Sequence, residues 1–169
     1  MSRTYIKSTA EFSNDGDYRY RLFRQWGWRI PGVLWVMLNP STADAEVDDP
    51  TIRRCVSFAD RWGYDSTTIV NLYAYRSTSP TVLLDAADPI GPENATVIQG
   101  TIKMHVGPIV FAWGAAVEKI AIERSRLNPA TWCRDTQRPM ALGFTKAGHP
   151  RHPLYVRSDV SLVPVTVAR

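Results

Sequence analysis

Four short apolar runs constrain this chain more than any other feature: residues 33–38 (VLWVML), 67–72 (TTIVNL), 109–113 (IVFAW) and 140–144 (MALGF). Each is too short for a core helix and suits a strand covered on both faces. The stretches between them carry helix signals. Asp48, Asp49 and Pro50 mark a start, Ile52, Cys55, Val56, Ala59 and Trp62 recur at helical spacing, and Gly63 marks a stop, predicting a helix over 51–63. A short helix over 82–86, a helix over 93–104 and an amphipathic helix over 115–127 follow. Strands alternating with helices at this rhythm predict a three-layer α/β/α fold around a central, mainly parallel sheet of about four strands.

Ahead of that core, residues 10–30 read as a β-hairpin turning at Asn14-Asp15-Gly16. Tyr18, Tyr20 and Leu22 alternate with Arg19, Arg21 and Arg24, which predicts one apolar and one cationic face. That cationic face reads as a solvated edge strand, although Arg-Tyr alternation also suits phosphate contact and base stacking. The 169 residues make one domain, residues 1–169, with the hairpin at about 10–30 and the α/β core at about 31–165. With 44% hydrophobic and 21% charged residues the composition is that of a soluble globular protein. No apolar run is long enough to span a membrane, and the opening MSRTYIKSTAEF lacks the apolar centre of a signal peptide. A cytoplasmic location is expected. Cys55 and Cys133 alone cannot form a four-cysteine metal site or a disulfide framework. A net charge of +4 permits a polyanionic partner without requiring one.

If the four strands run parallel, their carboxyl ends share one edge, where ligands bind in open α/β sheets. The first ends in Asn39-Pro40-Ser41-Thr42, the second contains Asn71, the third ends in Trp113-Gly114, and the fourth leads to His149, Arg151 and His152. Asn71 is an amide inside an apolar strand and must be hydrogen-bonded or cost about 1–3 kcal/mol. It can tie down a neighbouring loop, or it can read a nucleobase edge with its donor and acceptor. Ser41, Thr42, Arg53, Arg54, Arg76 and Arg151 are candidates for holding phosphate or a nucleic-acid backbone. Arg53 and Arg54 can equally pair with the acids just before them. Asp44, Glu46, Asp48 and Asp49 can offer oxygen ligands to Mg²⁺, or solvate a loop and favour a helix start.

The run LNPSTADAEVDDPTIRRC, with NLYAYRS, FAWG and GHPRHPLY downstream, resembles a family of bacterial and phage proteins of unknown function, over about residues 18–165. The same motifs, in the same order, resemble the uracil-DNA glycosylase superfamily, whose sequences carry Gly-x-Asn-Pro, Leu-Leu-Asn, Trp-Gly or Leu-Gly, and His-Pro-Ser-Pro-Leu. Leu38-Asn39-Pro40-Ser41, Val70-Asn71-Leu72, Phe111-Ala112-Trp113-Gly114 and residues 149–154 match these in turn. The resemblance implies a uracil-DNA-glycosylase-like fold and three roles. Asn39 would orient water, Asn71 would read the base, and His149 or His152 would stabilise the departing base. Tyr73 and Trp113 stand in for a stacking Phe that this chain lacks after the first motif. Asn39 replaces the Asp of the most active branch, and an amide cannot be a general base.

Three functions are therefore expected in order. The first is an N-glycosidase-like enzyme that hydrolyses or recognises a nucleobase bond in DNA or a nucleotide, with catalytic Asn39, His149 and His152. The second is a non-catalytic nucleic-acid or nucleotide-binding module. The third is a Mg²⁺-dependent phosphoester hydrolase using Asp44, Asp48, Asp49 and a histidine. The acid-rich segment disfavours a DNA backbone and favours a free nucleotide or modified base. No cofactor and no membrane partner is implied.

Overall fold

The computed structural model describes residues 3–120 and 129–166, without the side chain at 119. The described residues form a seven-stranded sheet: β1 (Lys7–Phe12), β2 (Arg19–Gln25), β3 (Val33–Met37), β4 (Ser66–Asn71), β5 (Ile109–Phe111), β6 (Met140–Ala141) and β7 (Val163–Pro164), in the spatial order β1-β2-β4-β3-β5-β6-β7. β4, β3, β5 and β6 pair in parallel; β1 with β2, β2 with β4 and β6 with β7 pair antiparallel. Among the described residues only two α-helices flank it, α1 (Pro50–Arg61) and α2 (Asn94–Met104). The expected three-layer α/β/α, uracil-DNA-glycosylase-like fold with a mainly parallel sheet of about four strands is thus overturned. The sheet is mixed, half its pairings are antiparallel, and one helix per face does not make a layer.

The continuous apolar runs explain the middle of the sheet. Every residue of β3 is buried, and its alternate side chains feed two cores. Val33, Trp35 and Met37 pack with Ile69, Val110 and the α1 residues Ile52, Cys55 and Phe58; Leu34 and Val36 pack with Val70, Phe111 and the α2 residues Ile98 and Ile102. α1 begins where its sequence dictates: Asp49 is the N-cap, its side chain accepting from the Ile52 N–H at 2.8 Å, and Pro50 follows.

Several local expectations need correction. The 82–86 helix is a 3₁₀ turn over Pro80–Leu84. Ala115–Lys119 also forms a 3₁₀ turn, and residues 121–127 of the expected 115–127 helix lie outside the described residues. The cationic face of the hairpin does not exist. Arg19 and Arg24 are buried and Arg21 alone of the three is exposed, because β2 lies between β1 and β4 and is no edge. A register shift at Glu11/Phe12 further breaks the alternation. Among the described residues, no helix is long and apolar enough to cross a membrane.

Candidate functional site

The parallel strands β3, β4 and β5 end side by side, and a cavity of about 340 Å³ opens above their carboxyl ends. Asn71, the last residue of β4, pairs in register with Met37 of β3. Asn39 lies two residues past Met37 and joins Asn71 in the cavity wall. The α2 residue Asn94 braces this edge from behind, its Nδ2 donating to the carbonyls of Asn71 and Leu72 at 3.0 Å each. That brace holds the Asn71 backbone and leaves its side chain free. Asn71 is 2% exposed, and its Nδ2 has no hydrogen-bond partner among the described residues. A buried donor left unpaired costs about 1–3 kcal/mol, so a group supplying an acceptor there recovers that cost.

Asn39 is tethered through one end only. Its Nδ2 donates to the carbonyls of Ser77 at 2.9 Å and Pro40 at 3.2 Å, which fixes the amide and leaves Oδ1 without a hydrogen bond among the described residues. Trp113 follows β5 and packs on Phe111, ring centroids 5.1 Å apart. Gly114 comes next with φ +76° and ψ −177°, a conformation essentially reserved for glycine. Its N–H donates to the Pro150 carbonyl at 2.9 Å, drawing the loop that carries His152 against the end of β5.

His152 lines the cavity, and its Nδ1 accepts from the Leu154 N–H at 3.3 Å. Burial lowers its pKa from 6.5 to about 4, against the opposing pull of Asp49. At neutral pH the ring is therefore uncharged, and a ring whose Nδ1 accepts must carry its proton on Nε2. His152 is a neutral donor. His149 lies elsewhere, with Nε2 3.1 Å from Glu118 Oε1 and outside the cavity wall.

Other residues named from sequence divide in the same way. Ser41 and Thr42 line the cavity. Tyr73 does not; it is buried in the α2-side core. The four arginines expected at phosphate are engaged by the protein itself. Arg53 donates to the Asp48 carbonyl, and Arg76 to the Gly16 carbonyl at 3.1 Å with its guanidinium over Phe12. Arg151 donates to the Phe144 carbonyl at 2.9 Å. Arg54 donates to the carbonyls of Pro153 at 3.2 Å and Val156 at 2.7 Å, so it anchors the His152 loop to α1.

The acids do not converge. Asp44 accepts from the N–H groups of Val47 and Glu46 at 2.8 Å each, which lowers its pKa. Asp48 pairs with Arg24 at 2.8 Å and accepts from the Tyr5 hydroxyl. No group of three His, Cys, Asp or Glu among the described residues is arranged to hold a metal ion.

Asp49 and Arg19 also line the cavity, although the sequence reading favoured a helix cap for the first and a solvated strand for the second. Asp49 caps α1 with Oδ1, while its other oxygen has no hydrogen bond among the described residues and the side chain lines the cavity. Arg19, from β2, is 2% exposed and lines the same cavity. Its Nη1 donates to the Ala43 carbonyl at 2.7 Å and its Nε has no partner among the described residues. Desolvation lowers its pKa to about 10, partly offset by Asp49, so it stays charged at neutral pH. Arg19 was legible as part of the Arg-Tyr alternation, and Asp49 as the residue before Pro50. Neither pattern tells which way the side chain faces.

A family model described as a protein of unknown function (DUF1643) matches residues 19–154. No curated protein and no solved structure matches the chain.

Proposed function

The chain belongs to the DUF1643 family, whose description assigns no activity, and from that premise we propose that the cavity is a nucleobase-reading site acting on the N-glycosidic bond. One observation carries the reading: the buried carboxamide of Asn71, its donor unpaired, lines the same cavity as Asn39 and the neutral His152. A carboxamide presents a donor and an acceptor side by side, which is what a base edge demands. The ordered likeness of the four motifs to the uracil-DNA glycosylase superfamily points the same way.

Each group has a chemical task in this reading. The Asn39 Oδ1 accepts a hydrogen bond from the attacking water and orients it. The Asp49 carboxylate, the acidic side chain lining the cavity among the described residues, takes the proton that an amide cannot. The water oxygen bonds to C1′, the C1′–N bond breaks, and its electron pair leaves with the base. The base departs as an anion. The Nε2–H of His152 and the Nδ2–H of Asn71 are aimed donors for its oxygens, and such preorganised donors are worth about 3–4 kcal/mol of barrier each.

The test is incubation with nucleosides, nucleotides and DNA carrying uracil and modified bases, with mass spectrometry for released base. Release is expected from the parent and lost in Asn71→Ala and Asn39→Ala. Binding without release would leave a non-catalytic base-binding module. Absence of both binding and release across the panel would refute the base-reading site itself.

A further inference from the structure

The wall of this cavity contains one cation among the described residues, Arg19, and it comes from inside the fold. Its guanidinium makes no ion pair among the described residues, and its Nε–H is unpartnered. A buried charge held by one carbonyl lacks the partners that usually accompany it. An oxyanion is the ligand group that would supply them.

The mouth carries the opposite message for a polymer. The hydroxyl residues Ser41, Thr42, Thr51 and Thr78 line the wall, with no further Lys or Arg among the described lining residues. Arg53, Arg54, Arg76 and Arg151 are each engaged with backbone carbonyls. Affinity for DNA or RNA strands rests on several Lys or Arg side chains that neutralise successive phosphates. Hydroxyls suit the sugar of a single nucleotide instead. The cavity, at about 340 Å³, also falls within the roughly 300–1,000 Å³ that buries a whole small ligand.

We infer that the site takes a free nucleoside monophosphate, its phosphate held by Arg19, in preference to a base extruded from a nucleic-acid strand. This rests on Asn71 as the base reader.

Isothermal titration separates the two. The probes are the common ribo- and deoxyribonucleoside monophosphates including dUMP, their nucleosides, and single- and double-stranded oligonucleotides containing the same bases, each at low and physiological salt. One monophosphate is expected to bind at least tenfold more tightly than its nucleoside and than any oligonucleotide. Arg19→Met is expected to erase the preference over the nucleoside while nucleoside binding persists, and Arg19→Lys to retain part of it. The comparisons on the parent protein stand even if Arg19→Met fails to fold. Equal binding of nucleoside and monophosphate, tighter binding of an oligonucleotide with a steep salt dependence, or no monophosphate binding to millimolar concentration overturns the inference. Asn71→Ala reports on the base reading separately. If it binds nucleoside and monophosphate as the parent does, that reading fails whatever Arg19 does.

Discussion

Gly114 and His152 touch across the mouth of the cavity: a Cβ placed on Gly114 would stand 3.0 Å from the His152 Cβ. The third and fourth sequence motifs are therefore in direct contact. The Trp-Gly turn ends β5 in a conformation only glycine adopts easily, and the space its missing side chain leaves is filled by the His152 loop. Gly114→Ala is expected to cost about 1–3 kcal/mol through its backbone conformation. It is also expected to push His152 off the cavity wall. Chemical denaturation measures the first effect, and loss of base release or ligand binding beyond the unfolded fraction measures the second. A variant of parental stability with parental binding would refute the contact.

Asp49 holds two positions at once, as cap of α1 and as the acidic side chain in the cavity wall. Asparagine caps a helix about as well as aspartate, whereas alanine forfeits about 1 kcal/mol. Asp49→Asn is accordingly expected to keep the cap and be more stable than Asp49→Ala, losing only the attraction to Arg19. Both are expected to lose base release by about 10²-fold or more, the usual worth of a general base. Parental turnover in Asp49→Asn would leave Asp49 as a cap alone.

For His152 the folded state keeps the ring neutral down to a pKa of about 4, against an ordinary value of 6.5. Between those values the unfolded chain binds a proton that the folded chain does not, so stability falls as pH drops from about 6.5 to about 4. Above that window the contribution is fully present. His105, whose pKa burial also lowers, acts in the same direction. His152→Gln is therefore expected to flatten the acid limb of the stability curve without abolishing it, as measured by urea midpoints from pH 4 to 7. An unchanged slope would mean His152 titrates as it does in water.

Much of the site was legible because strand periodicity and polar strand ends are local properties. Asn39, Asn71, Trp113 and His152 end apolar runs or follow them closely, and parallel pairing of β3, β4 and β5 gathers those ends. What the sequence hid depends on non-local contacts. Whether a guanidinium meets phosphate or a carbonyl depends on loops that fold over it. Arg54 reaches residues about a hundred positions away in the chain. His149 and His152 sit in one short motif, and only the chain path around Gly114 separates them. The fold class misled for a related reason. The four buried runs do pair in parallel, but the hairpin strand β2 joins the same sheet beside β4 and β7 joins it beside β6, both antiparallel, and pairing between distant segments leaves no mark on local periodicity.

Arg24 and Asp48 carry the sharpest stability prediction. Arg24 is fully buried in β2, its Nε donates to Asp48 Oδ1 at 2.8 Å, and its guanidinium also meets the Asp44 carbonyl and lies 5.5 Å from the Tyr5 ring centre. The pair ties the hairpin to the acidic loop that leads into Asp49, so it sets the approach to the cavity without touching it. Removing one partner of a buried pair strands the other charge, at about 3–5 kcal/mol. Asp48→Ala is expected to destabilise toward the lower end of that range, because Asp48 is partly exposed and the Asp44 carbonyl remains to Arg24. Arg24→Met leaves Asp48 near water and removes the desolvated cation, so it is expected to cost less. The double variant is expected to be more stable than the sum of the two losses implies. A double-mutant cycle by urea denaturation gives the coupling, and additive losses would show that the two residues act independently.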